Sequence, residues 1–327
     1  MKYIELKGSL KSNIFNNYLL SGSDEFLLNK SVELIFSALK IGMPDLNFQK
    51  FLGESIDFDD VVKALNTMPV FDEKKLVVVY LHIKTTISNL PKLTDYLKNP
   101  NPQSVFVVVA GDNNELKSQI NKFEVVDCNR LAEEIVDKFV LNELKQSNTN
   151  ITKQALSTLN EYCVYDLSKI VKEVSKLVSF VSDKKLIEEN DVKLLVNKTL
   201  EFQIFELTEN LAKKNKDKVF EILDALKSKK DVYRTLIPLI YAHFRRLFYV
   251  AVSSVSKSEL GQMLGVKDYA ITVAYKQSKM LTTINKSDFL IFIKPPPLIY
   301  YITFILKVNL CSINLHKIQI ITSQFVI

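Results

Sequence analysis

The sequence predicts an α/β domain followed by all-α domains, and three observations carry that prediction. Short apolar runs alternate with amphipathic stretches over the first 130 or so residues. Two of those runs, KLVVVYL (Lys75–Leu81) and SVFVVVAG (Ser104–Gly111), are continuously apolar behind a polar first residue, as strands buried on both faces of a parallel sheet are. From Ala132 to about Ser287 strand-type runs disappear and long helical stripes take over. Strands separated by helices imply right-handed βαβ units. A chain of 327 residues has room for three domains, and the changes of pattern divide it into 1–130, 131–200 and 201–327.

The elements follow in order. YLLSG (Tyr18–Gly22) is a strand that runs through a tight glycine turn into a helix from about Asp24 to Lys40. NFQKFLG (Asn47–Gly53) alternates like a strand. DFDDVVKALNTM (Asp57–Met68) is amphipathic, with Val61, Val62 and Leu65 on one face and acids in its first turn. The two buried strands follow, with a helix near Ser88–Lys98 between them, and FEVVDC (Phe123–Cys128) is a last strand. Beyond residue 130, DLSKIVKEVSKLVSFV (Asp166–Val181) places Leu167, Ile170, Val171, Val174, Leu177, Val178 and Val181 on one stripe behind an Asp166 N-cap. Helical segments continue through TLEFQIFELTENLAKKN, KVFEILDALKSKK and LIPLIYAHFRRLFYVAV.

The last residues differ. Leu290–Ile327 holds no Asp or Glu and carries three prolines in a row, Pro295–Pro297. Its longest uncharged apolar stretch, Leu298–Leu306, is roughly half a membrane span, which argues against a transmembrane segment. An irregular segment and translation out of an ancestral frame both fit this composition.

Composition excludes several classes. The 47% hydrophobic and 24% charged content is that of a globular protein, and 7 Gly and 9 Pro leave little for flexible linkers. The net charge of +6 is compatible with nucleic acid without demanding it. Cys128, Cys163 and Cys311 lie far apart with no CxxC, so neither a disulfide framework nor a zinc ribbon is expected, and reduced cytosol is the simplest compartment. The amino terminus lacks the apolar core of a signal peptide. His82, His243 and His316 are isolated, and a structural role is expected of each.

The strand–turn–helix at Tyr18–Phe36 stands where a phosphate loop would stand, yet its chemistry is missing. In G-x-x-x-x-G-K-[S/T] the second glycine lets backbone approach the phosphate and the lysine neutralises it. Counted from Gly22, those positions hold Leu27, Leu28 and Asn29, while Lys30 and Ser31 come too late. No acidic pair follows LVVVYLHI to hold Mg²⁺, and no GxSxG, HExxH or metal-spaced cluster occurs. No catalytic residue, cofactor or metal ligand is expected. Asp59/Asp60 and Glu133/Glu134 read as helix starts, and Lys213/Lys214 and Lys229/Lys230 as solvated helix ends. Two rival readings are a degenerate NTPase with an unusual phosphate site and a helical nucleic-acid binder using Tyr241, Phe244 and Phe248. The spacing of those aromatics favours core packing instead.

One segment reads as a binding element. In ALNTMPVFDEKKLVVV (Ala64–Val79), Met68, Pro69, Val70 and Phe71 lie in a surface turn between helix and strand, followed by Asp72, Glu73, Lys74 and Lys75. Val70 and Phe71 either tuck under the sheet as a cap or stand out as an anchor for a partner's pocket. Spacing alone leans to the tucked arrangement.

The chain resembles the delta subunit of the bacterial DNA polymerase III clamp loader. The likeness spans roughly residues 15–289 and rests on YLLSGSDEFLLNKSVELI, ALNTMPVFDEKKLVVV, YDLSKIVKEVSKLVSFV, LEFQIFELTENLAKKN and GQMLGVKDYAITVAYKQSKMLT in that order. The resemblance implies an AAA+-like first domain without a nucleotide site, a small helical lid domain and a helical collar domain. It implies binding of the sliding clamp (beta subunit) through Val70 and Phe71, with Met68 and Pro69 beside them, and opening of the ring for loading onto primed DNA. Where the family commonly has Leu-Phe this chain has Val-Phe, so a smaller side chain meets the pocket. Further implied partners are the ATPase subunits and delta prime, in a cytoplasmic assembly that serves a nucleotidyltransferase without this chain carrying its catalytic site. After Phe289 the chain departs from the amphipathic helix of the family, which bears on collar assembly.

Overall fold

The structure is a computed structural model that describes residues 1–81, 85–111, 121–213, 215–227, 232–266 and 268–280. The expectations for His82, Cys311, His316, Lys214, Lys229, Lys230 and the segment from Leu290 fall outside these residues. Two compact units form, Met1–Leu131 and a second from Ala132 on.

In chain order the first unit contains α1 (Tyr3–Ser12), β1 (Asn17–Ser21), α2 (Glu25–Leu39), α3 (Pro44–Asn47), β2 (Phe48–Phe51), β3 (Ser55–Asp57), α4 (Phe58–Asn66), β4 (Lys75–Tyr80), β5 (Thr86–Ser88), α5 (Leu90–Tyr96), β6 (Ser104–Gly111) and β7 (Glu124–Asp127). Five strands make one parallel sheet in the order β2-β4-β6-β1-β7. The continuous apolar runs are central in it, with Leu76 to Val79 and Val105 to Val108 all fully buried. Alternate residues serve opposite faces. Val77, Val79, Phe106 and Val108 join Phe58, Val61 and Leu65 of α4 and Leu93 and Tyr96 of α5 in one core. The other face receives α2, through Leu28, Val32 and Ile35.

Some elements lie outside the sequence expectation. The chain start forms α1, anchored where the Met1 ammonium donates to Val125 O at 2.7 Å and Asp127 N donates to Met1 O at 2.9 Å. A small parallel pair, β3 with β5, sits ahead of α4 and α5.

The second unit contains α6 (Glu133–Gln146), β8 (Asn150–Ile151), α7 (Lys153–Tyr162), α8 (Leu167–Phe180), β9 (Leu186–Ile187), α9 (Glu189–Leu195), α10 (Leu200–Ala212), α11 (Lys216–Lys227), α12 (Val232–Val252), α13 (Lys257–Leu264) and α14 (Asp268–Met280). Asp166 caps α8 as expected, its carboxylate accepting from Lys169 N at 3.2 Å. The expectation that strands disappear here needs correction. β8 and β9 pair in parallel over two residues each, extended by Asn150 N donating to Lys185 O and Thr152 N donating to Ile187 O. A ladder this short leaves no periodic signal. Ile204, Leu207, Val219, Ile222, Phe244, Leu247 and Ile271 share the core of the later helices. Of the aromatic stripe, Phe244 is buried, Phe248 packs against that core and Tyr241 is at the surface. His243 is buried, as a structural histidine would be, and Cys128 and Cys163 are buried thiols outside any disulfide.

Candidate partner-binding turn

The expected binding element begins at the end of α4, and that end is held firmly. A helix leaves its last carbonyls without internal partners. Here Ala64 O accepts from Lys75 Nζ at 2.7 Å, and Leu65 O accepts from Ser104 Oγ at 2.6 Å and Asn101 Nδ2 at 3.1 Å. Lys63 O accepts from Thr67 Oγ1 at 2.9 Å. Lys75, which the sequence places in a charged surface run, is therefore a buried cap at 4% exposure, and burial lowers its pKa. Pro69 then keeps the chain from continuing as helix and biases Met68 away from it.

Beyond Pro69 the turn is shaped by a side chain from another segment. Asn47, the last residue of α3, is buried, and its carboxamide meets both backbone groups of Val70. Val70 N donates to Asn47 Oδ1 at 2.8 Å, and Asn47 Nδ2 donates to Val70 O at 2.8 Å. The same Nδ2 donates to Asp72 Oδ2 at 2.6 Å. Asp72 also accepts from Gly42 N at 2.9 Å and Met43 N at 3.1 Å. The two backbone donors hold the Asp72 carboxyl below its ordinary pKa, with Asn47 adding to them.

Between these fixed neighbours Phe71 takes φ +60, a left-handed conformation uncommon for a bulky residue. Its side chain projects, 88% exposed, with Met68 at 62% and Val70 at 40%. Pro69 is half-buried. Val70 and Phe71 are thus not tucked beneath the sheet. Met43 and Leu46, on the segment joined to the turn through Asn47 and Asp72, are exposed as well. Nothing local in the sequence links Asn47 with Asp72. Asn47 reads there as the start of a strand, Asp72 as one member of a charged run, and 25 residues separate them.

The strand–turn–helix at β1 and α2 is closed by the chain itself. Leu27 and Leu28 are buried in the core. Gly22 has φ +143, and a Cβ there would stand 2.3 Å from the carbonyl carbon of Cys128. Glycine is needed there because the backbone of Cys128 and Asn129 passes against it. Gly22 N donates to Gly111 O, Ser23 N to Asn129 Oδ1, Asp24 N to Cys128 O and Leu27 N to the Asp24 carboxylate. Four backbone amides of this turn thus already have protein acceptors. Beside them the Cys128 thiol lies 3.4 Å from Ser31 Oγ, and burial pushes it up to about 11. Among the described residues no cluster of His, Cys, Asp and Glu could hold a metal ion, and no helix is long and apolar enough to cross a membrane.

A five-stranded parallel sheet of this order, with helices on both faces and its first turn closed, defines an AAA+-like module carrying an exposed apolar turn. Comparison with known proteins agrees. Residues 18–129 match the family described as DNA polymerase III, delta subunit, and residues 201–290 match the delta subunit's C-terminal domain. The chain belongs to the DNA polymerase III delta subunit family. It is 25% identical over 295 residues to DNA polymerase III subunit delta of Bacillus subtilis, covering 84% of this chain and 85% of that one. It is 26% identical over 225 residues to the probable subunit delta of Aquifex aeolicus, covering 64% and 63%. The solved structure of the Bacillus subtilis DNA clamp loader delta protein superposes with a TM-score of 0.69 at 22% identity, covering 99% and 98%.

Proposed function

We propose that this chain is the sliding-clamp-binding subunit of a clamp loader, and that Val70 and Phe71, flanked by Met68 and Pro69, enter an apolar pocket on the clamp. The observation that carries this reading is the display of Phe71: 88% exposed, on a left-handed backbone, beyond a capped helix end. An aromatic ring held out in this way has the properties of an interface anchor. The mechanism is differential binding. The turn holds the clamp conformation in which one ring interface is sprung and so shifts the ring's closed-to-open population. The assembly around it contains ATPase subunits, delta prime and primed DNA and works in the cytoplasm. Within the chain, residues 131–200 act as lid and 201–327 as collar. Nucleotide hydrolysis belongs to partner subunits, because the loop at Gly22 keeps its own donors occupied.

The test is the affinity of the chain for its cognate clamp, wild type against Val70→Ala/Phe71→Ala, with an unchanged circular dichroism spectrum as the control for folding. The expected loss is about 2 kcal/mol or more, roughly 30-fold, the scale of an anchor. An unchanged affinity overturns the reading.

A further inference from the structure

We propose that Asn47 and Asp72 are positioning residues that pre-shape the Met68–Phe71 turn, so that Phe71 meets its partner already in its bound conformation. This rests on the clamp-binding reading above and adds to it the device that makes the turn competent.

The geometry points to this role. Asn47 satisfies both backbone groups of Val70 in the manner of a strand partner, and Asp72 gathers Gly42 N, Met43 N and the Asn47 carboxamide. The residues on either side of Phe71 are therefore fixed, and Phe71 alone must bridge them. Its φ of +60 is the conformation that closes the bridge and turns the ring outward. A turn without such a clasp would relax its strained residue and let an exposed ring fold back onto nearby apolar side chains such as Met43 and Leu46. Ordering a free turn upon binding opposes association, and ordering it beforehand removes that opposition from the binding step. The clasp's hydrogen bonds, with Asn47 itself buried, link residues 42–47 to residues 70–72 and so act on the turn.

The experiment measures clamp binding by full-length Asn47→Ala, Phe71→Ala and the double variant as a cycle, with amide exchange at Val70 N–H read in parallel. Asn47→Ala is expected to weaken binding about 10-fold and to remove protection of the Val70 amide. In the Phe71→Ala background the same change is expected to have almost no further effect, because the clasp acts through that ring. If Asn47→Ala leaves affinity unchanged while Phe71→Ala weakens it, the positioning role is overturned and the clamp-binding reading stands. Equal losses in both backgrounds also overturn it, as a general structural defect would produce them. If Phe71→Ala itself has no effect, the clamp-binding reading fails, and unaltered protection of Val70 in Asn47→Ala would then sink the clasp too. Should Asn47→Ala not fold, Asp72→Asn takes its place. That variant keeps one acceptor oxygen, and a loss smaller than that of Asp72→Ala is the expected rescue.

Discussion

At the residue scale, Phe71 combines two features that folding disfavours, a left-handed backbone and a bare aromatic ring. Neither contributes to a core, so the position can be read by what its replacements do. Alanine and glycine both remove the ring and its clamp contact. They differ in the backbone: only glycine adopts φ +60 without a Cβ penalty. Phe71→Gly is therefore expected to be more stable than Phe71→Ala by about 1 kcal/mol, although glycine is usually the weaker choice elsewhere. Urea unfolding of the two variants checks it. The reverse order would show that the turn leaves the left-handed region once the ring is gone. A residue whose glycine replacement is more stable than its alanine replacement, while both weaken binding, is retained for its contact.

At the element scale, the β1–α2 turn is a nucleotide-loop scaffold filled with protein. Restoring the motif by Leu27→Gly, Leu28→Lys and Asn29→Thr would not restore its chemistry. Leu27 is fully buried, so the variant opens a cavity and puts glycine into a helix, a loss of about 3 kcal/mol or more. The loop amides stay bonded to Cys128, Asn129 and Gly111. No saturable Mg²⁺-dependent binding of a fluorescent ATP analogue is expected, and micromolar saturation would refute that. The two leucines were legible in the sequence because a motif position is a local count. Likewise β4 and β6 announced themselves as unbroken apolar runs, and α8 by its stripe and its Asp166 cap. What was illegible depends on distant pairing. β3 with β5 and β8 with β9 are too short for a period, and α1 is held by contacts of Met1 with β7. The clasp escaped notice for the same reason: Asn47 and Asp72 acquire meaning only when α3 is folded against the turn after α4. Lys75 shows the converse error, since a charged neighbour in sequence became a buried helix cap.

At the scale of the whole folded chain, acid stability should be governed in part by one histidine of the second unit. His243 on α12 is buried, and its Nε2 lies 2.8 Å from Gln277 Oε1 of α14. Gln277 Nε2 donates to Phe205 O of α10 at 2.9 Å, which turns its oxygen toward the ring and places the imidazole proton on Nε2. Nδ1 has no hydrogen-bond partner. A second proton would be buried in an apolar core, near the guanidinium of Arg246. Burial first, and that charge second, push the pKa down to about 3. The sign follows from which state takes up the proton earlier. An unfolded histidine protonates near pH 6.5 and the folded one only near 3, so between these values the unfolded state binds more protons and stability falls with falling pH. From pH 7 to pH 5 this one group accounts for about 2 kcal/mol. Urea midpoints at the two pH values, wild type against His243→Gln, isolate it from the carboxylates, which titrate in both proteins. The variant is expected to start lower at pH 7, having lost its fit in the α10–α12–α14 core, and to fall about 2 kcal/mol less on acidification. Equal falls in the two proteins would mean that His243 takes up its proton in the folded state as readily as in the unfolded chain, and that the core around Gln277 accommodates the charge.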